Sequence, residues 1–192
     1  MKLVFATHNQ NKLTEVQSLV PKNIELLSLN DIGCHDEIPE TGKTLYENAK
    51  IKADFVTKNY GFDCFADDTG LLVNALNGAP GVYSARYAGE QRNSGDNMYK
   101  LLTELEGLND RSAKFVTVIA LNLKGEQQYF KGVVEGQITS KKSGAKGFGY
   151  DPIFQPEGYD KTFAELPLSV KNAISHRGKA MEKLIAYLKT IL

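Results

Sequence analysis

A strand, a polar loop, a helix and a second strand open this chain, and that order restricts the fold more than any other feature. Lys2 to Thr7, "KLVFAT", has the β-branched and aromatic content of a strand. "HNQN" breaks it. A helix follows with Leu13, Val16, Leu19 and Val20 on one face and Pro21 as its stop. Ile24 to Leu29, "IELLSL", predicts the second strand. A strand, loop, helix and strand in succession favour an α/β fold.

The rest of the chain continues the alternation. A helix is expected from about Lys43 to Asn59, with Leu45, Ala49, Ala53 and Val56 inward and Gly61 just past its end. "CFAD" and "GLLVNAL" predict two short strands on either side of Asp68 and Thr69. "NGAPGVYSARYAGE" is an ordered loop, rich in glycine. "NMYKLLTELEGL" predicts a helix with Met98, Leu101, Leu102 and Leu105 inward. "AKFVTVIALNL" and "EQQYFKGVVEGQI" predict a hairpin turning at Lys124 and Gly125. A glycine-rich loop, "SGAKGFGYDPIF", enters a strand. One long helix closes the chain from about Leu168 to Leu192, its stripe running through Val170, Ala173, Ile174, Met181, Leu184, Ile185 and Leu188. Without repeats, linkers or a composition break, residues 1–192 read as a single α/β domain.

Charge excludes some partners. Lys plus Arg and Asp plus Glu are both 23, a formal net charge of zero. Bulk affinity for nucleic acid or an anionic membrane needs a basic excess, so neither is expected. Cys34 and Cys64 have no metal-ligand spacing and no disulfide framework. The first apolar run is too short for a signal peptide, and no segment reaches membrane-spanning length. A cytoplasmic protein is the expectation.

Four polar clusters fall where strands end, the usual place for functional loops in α/β proteins. Thr7, His8, Asn9, Gln10, Asn11 and Lys12 join the first strand to its helix, where free backbone N–H groups and side-chain donors suit a phosphate. The glycine pattern of a P-loop is absent, and a plain helix cap by Asn9 or Asn11 is the ordinary alternative. The second cluster, "ETGKTLYENAKIK", places Glu40 before a helix that carries Asn48 and Lys52 one turn apart, pointing the same way. Lys50 belongs to a solvated face.

The third cluster sets Asp67 beside Asp68 in an apolar surrounding. In extended backbone their side chains point to opposite sides. A division of labour follows: one carboxylate enters a pocket, while the other pairs with a lysine or orients a water. The ordinary alternative is a β-turn with two solvated aspartates before Gly70. In the fourth, Phe148 and Tyr150, exposed by flanking glycines, are placed to stack on a planar base, with Asp151 as an acceptor. Ser175, His176 and Arg177 lie in the last helix, and the interior Gly178 points to a close backbone approach. Core packing for Phe148 and an ordinary helix position for His176 are the alternatives. Anion donors, hard-cation carboxylates and an aromatic platform together match a nucleoside triphosphate with Mg²⁺.

"THNQNK", "ETGKTLYENA", "ADDTGL", "GAPGVYSARYAG", "GFGYDPIF" and "SHRGKA" occur in this order from Thr7 to Ala180. The set resembles the inosine triphosphate pyrophosphatases, which clear deaminated purine nucleotides. The resemblance implies an elongated mixed β-sheet flanked by helices, with two lobes and an active-site cleft between them, and a homodimer. It implies Mg²⁺-dependent hydrolysis of ITP, dITP and XTP to the monophosphate and pyrophosphate. By the same resemblance Thr7 to Lys12 hold the triphosphate and Lys52 lies near the phosphates. Glu40 and Asp68 bind the metal, and Asp68 is also the general base. Thr69, Phe148, Gly149, Tyr150, Asp151, Lys171, His176 and Arg177 contact the nucleotide. Leu168 and Val170 stand where relatives often carry polar or acidic residues. Two rivals stay open: a phosphatase releasing orthophosphate, and a nucleotide-sensing module with no use for a metal-holding Glu40 and Asp68.

Overall fold

A computed structural model of the chain describes residues 1–191. Its strands are β1 (Lys2–Phe5), β2 (Glu25–Leu27), β3 (Cys64–Val73), β4 (Pro80–Gly81), β5 (Ser112–Leu123), β6 (Glu126–Ile138) and β7 (Phe154–Pro156). Its helices are α1 (Gln10–Gln17), α2 (Leu45–Tyr60), α3 (Ser94–Glu104), α4 (Leu168–Ile174) and α5 (His176–Ile191). The sheet is mixed, in the order β2-β1-β3-β5-β6-β7, with β4 paired to β3. β1 runs parallel to β2 and to β3, while β4 and β7 pair antiparallel to β3 and β6. The α/β expectation holds.

The chain forms two compact units. The first comprises Met1–Asp68, Thr117–Gly132 and the stretch from His176 onward. Its core is Leu3, Phe5, Val16, Phe65, Ile119, Leu121, Met181, Leu184 and Leu188, with Phe5 and Phe65 stacked at 4.7 Å. Gly132 is tight against α5: a Cβ there meets the His176 carbonyl oxygen at 2.0 Å, so β6 and the first turn of α5 approach backbone to backbone. The second unit comprises Thr69–Val116 and Val133–Ser175. Its core gathers Leu71, Leu101, Phe115, Phe154 and Phe163.

Three expectations need correction. The two short strands are one: β3 runs unbroken through Asp67, Asp68 and Thr69. Both carboxylates are buried and partnered, so the β-turn alternative fails and nothing forces a break. The first helix ends at Gln17, and Leu19 and Val20 reach the core from the turn after it. The closing helix is two helices. Ser175 takes an extended conformation, φ −70° and ψ 159°, and α5 begins at His176. Serine is a favoured residue before a helix start, a local signal outweighed by the apolar stripe. Ala173, expected inward, is exposed, and Gly178 lies in a helix's first turn rather than its interior. Leu192 lies outside the described residues. No helix among the described residues is long and apolar enough to cross a membrane.

Candidate active site

The site in the first unit begins with alternation along β3. Asp67 and Asp68 meet different partners, as extended backbone requires. Asp67 is 1% exposed. Its Oδ1 accepts from Lys12 Nζ at 2.8 Å and its Oδ2 from Arg177 Nε at 3.0 Å. Arg177 Nη1 in turn donates to Glu15 Oε2 at 2.6 Å. Lys12 and Glu15 sit three apart on α1, so one helix face supplies a cation to Asp67 and an anion to Arg177. Burial alone raises the pKa of Asp67, but Lys12, Arg177 and Lys52 outweigh it and hold the carboxyl well below its ordinary value. Asp67 is therefore a fixed counter-charge.

Asp68 is held by α2. Asn48 Nδ2 donates to Asp68 Oδ2 at 3.1 Å, and Lys52 Nζ lies 3.3 Å from Asp68 Oδ1. The same ammonium donates to Glu40 Oε1 at 2.6 Å. One turn of helix thus grips both oxygens of Asp68 and draws Glu40 to the same point. Burial raises the pKa of Asp68, assisted by Glu40 and opposed by Lys52 and Lys12. Adjacent carboxylates are pushed in opposite directions, a pattern that separates acid–base roles. The start of α2 is set by a capping box: the Thr44 side chain accepts from Glu47 N, and the Glu47 carboxylate accepts from Thr44 N.

In the first cluster the ordinary alternative is also realised, since Asn9 caps α1 by accepting from Lys12 N at 3.1 Å. Thr7 Oγ1 accepts from Asn9 N, and His8 Nε2 lies 2.9 Å from the Asp36 carbonyl oxygen. Gln10 and Asn11 are exposed at the head of the helix. Three cations (Lys12, Lys52, Arg177) interleave with four carboxylates (Glu15, Glu40, Asp67, Asp68). No group of three or more His, Cys, Asp or Glu side chains gathers as a metal cage among the described residues. Two converging carboxylates remain. Such hard oxygen donors suit Mg²⁺, which characteristically takes one or two carboxylates and completes its shell with water and phosphate oxygens.

The second unit holds most of the other assigned residues. Thr69 follows Asp68 in β3 and is half-buried. Lys171 Nζ donates to Asp151 Oδ2 at 2.5 Å, and the same oxygen accepts from Phe148 N at 2.8 Å. Lys171 Nζ also stands 5.0 Å from the half-buried Phe148 ring. Gly147 and Gly149 both have positive φ, 73° and 63°. A Cβ on Gly147 would strike Asp151 Oδ2 at 2.0 Å, so the turn closes directly over the carboxylate. Tyr150 corrects the reading of an exposed aromatic pair. It is buried, and its hydroxyl donates to the Ser84 carbonyl oxygen at 2.9 Å. His176 and Arg177, in the first unit, are buried in the opening turn of α5.

Sequence reasoning singles out neither Glu15 nor Gly42, whose N donates to Asn48 Oδ1 at 2.8 Å. The spacing of Lys12 and Glu15 was a signal for the first, but a charge pair three apart on an amphipathic helix reads as surface. Asn48 was placed beside Lys52 by spacing and given no role.

The Ham1 family model matches residues 3–187. A protein of Flavobacterium johnsoniae named dITP/XTP pyrophosphatase is 63% identical, with 96% of each chain covered. The solved structure of a HAM1 protein from Coxiella burnetii is 42% identical with a TM-score of 0.91, covering 99% of both chains. That of the Staphylococcus aureus Ham1 protein is 40% identical with a TM-score of 0.90, covering 100% of both. With a family model spanning nearly its whole length and relatives this similar, the chain belongs to the Ham1 family.

Proposed function

We propose that this protein hydrolyses deaminated purine nucleoside triphosphates, ITP, dITP and XTP, to the monophosphate and pyrophosphate, and so removes them from the nucleotide pool. The observation that carries the reading is the convergence of Glu40 and Asp68 on one buried lysine, while Asp67 is neutralised separately by Lys12 and Arg177. The names of the relatives support the substrate class. Family resemblance adds Mg²⁺ as the cation and a homodimer as the assembly, and the cytoplasm is the compartment the sequence leads us to expect.

Glu40 and Asp68 are the residues that would hold the metal. Bound Mg²⁺ supplies Lewis acidity and neutralises phosphate charge. Thr7 to Lys12 receive the triphosphate, and Lys12 and Lys52 balance its remaining negative charge. Asp68 takes a proton from the attacking water, a role closed to Asp67, whose two oxygens are clamped by Lys12 and Arg177. Water adds at the α-phosphorus, the bond to the bridging oxygen breaks, and pyrophosphate leaves. Arg177 keeps Asp67 ionised opposite Lys12 and is itself among the residues assigned to contact the nucleotide. Phe148, Gly149, Tyr150, Asp151, Lys171, Thr69 and His176 contact the nucleotide, with Tyr150 anchoring its loop through Ser84.

Base choice has a physical basis. Hypoxanthine and xanthine present a 6-oxo acceptor and an N1–H donor, where adenine presents a donor and an acceptor. Fixed buried polar groups matched to the first pattern are left unpaired by the second, which discriminates by up to about 10⁴-fold. The test is release of pyrophosphate from dITP, with and without Mg²⁺, against dGTP and dATP. Mg²⁺-dependent pyrophosphate from dITP, with kcat/KM well above that for dATP, is the expected result. Orthophosphate as first product, or equal kcat/KM for all, refutes the reading.

A further inference from the structure

We infer that Asn48 is a positioning residue that holds the Asp68 carboxylate toward Glu40 and ties the Glu40 loop to it, a role resting on the proposed function. The Asn48 side chain is 0% exposed and spends both ends of its amide. Nδ2 donates to Asp68 Oδ2 at 3.1 Å, and Oδ1 accepts from Gly42 N at 2.8 Å. One amide therefore connects the carboxylate on β3 to backbone two residues beyond Glu40.

Gly42 shows how closely that loop lies on α2. A Cβ there would come within 2.6 Å of Glu47 Cβ, 2.7 Å of Asn48 Oδ1 and 2.9 Å of Asn48 N. Lys52, one turn later, makes a second tie between the same partners, donating to Glu40 and to Asp68. The two ties differ in kind. Lys52 joins the carboxylates through charge, and a cation held between Glu40 and Asp68 repels its ammonium. Asn48 is neutral and bonds to an oxygen and an N–H that a cation leaves in place. It keeps Asp68 oriented in both states, as partners behind metal ligands do.

The test uses Asn48→Leu, close to asparagine in shape without its polar atoms. Asn48→Ser, smaller and polar, stands in if the leucine variant does not fold. Thr44→Ala is the control, weakening the start of the same helix without touching Asp68. Two quantities are read on folded protein: kcat and KM for dITP, and affinity of the nucleotide-free protein for Mn²⁺ by electron paramagnetic resonance. The inference expects kcat to fall about 10- to 100-fold with KM within about threefold, and Mn²⁺ affinity to fall about tenfold. Thr44→Ala should match the parent in both. Either quantity staying within about twofold of the parent overturns the inference, as does an equal loss in Thr44→Ala. If the parent releases no pyrophosphate from dITP, the functional reading fails instead, and Mn²⁺ affinity still reports on the carboxylate pair.

Discussion

Asp67→Asn separates the support of this site from its chemistry. The substitution keeps the shape of the side chain and removes its charge. The buried Arg177 and the half-buried Lys12 then lose their shared anion, while Glu15 still compensates Arg177. Breaking a buried pair from one side costs about 3–5 kcal/mol, because the surviving charge is uncompensated. With Glu15 in place the lower end applies, about 3 kcal/mol, and at about 2–4 °C per kcal/mol for a chain of this size Tm drops by about 6–12 °C. Calorimetry and urea titration in EDTA at pH 7 measure it. The pH dependence gives a second reading. Asp67 has a folded pKa well below its ordinary 3.8, so its contribution is full above about that pH and is lost as pH falls through the lower folded value. The parent should lose stability on acidification below about pH 4, and Asp67→Asn should show a shallower acid limb. The double variant with Arg177→Met should be less destabilised than the sum of the singles, since it removes both members of the pair. A destabilisation under about 1 kcal/mol, additive singles or an unchanged acid limb refutes the reasoning.

Two further predictions concern single groups. Asp68→Asn should lower kcat for dITP by about 10²- to 10⁴-fold in a protein that still binds nucleotide, as measured by steady-state turnover and equilibrium dialysis. Close to parental turnover removes Asp68 as the base. Burial pushes the Cys64 thiol up to about 11 against the opposing contact with Thr57, and Cys64 Sγ donates to the Ala53 carbonyl oxygen. At pH 8 only about 10⁻³ of it is thiolate, so a disulfide reagent should label Cys64 in urea and not in the native state. Rapid native labelling, located by peptide mass, contradicts this.

The candidate site residues were legible because their clusters are local. "THNQNK" and "ETGKTLYENA" each show a polar turn feeding a helix. Partners were not legible where they lie far apart in the chain: Lys12 is 55 residues from Asp67, and Arg177 is 110 from it. Opposite orientation of Asp67 and Asp68 followed from strand geometry, but which of Lys12 and Lys52 each one meets did not. Glu15 was missed for the same reason, since its partner Arg177 lies 162 residues away.

The sequence alone determined the features set by neighbouring residues. Helix α2 with Gly61 in the left-handed conformation, and the hairpin turn with Lys124 at φ 51° and Gly125 at φ 84°, follow from periodicity and turn chemistry. Tertiary structure decided the continuity of β3 and the break at Ser175. It also decided the assignment of each buried charge. A buried carboxylate is tolerable only when a distant chain segment brings it a cation, and burial lets such pairing override local turn and helix preferences. With Lys12 and Arg177 in place, β3 can run straight through two adjacent aspartates.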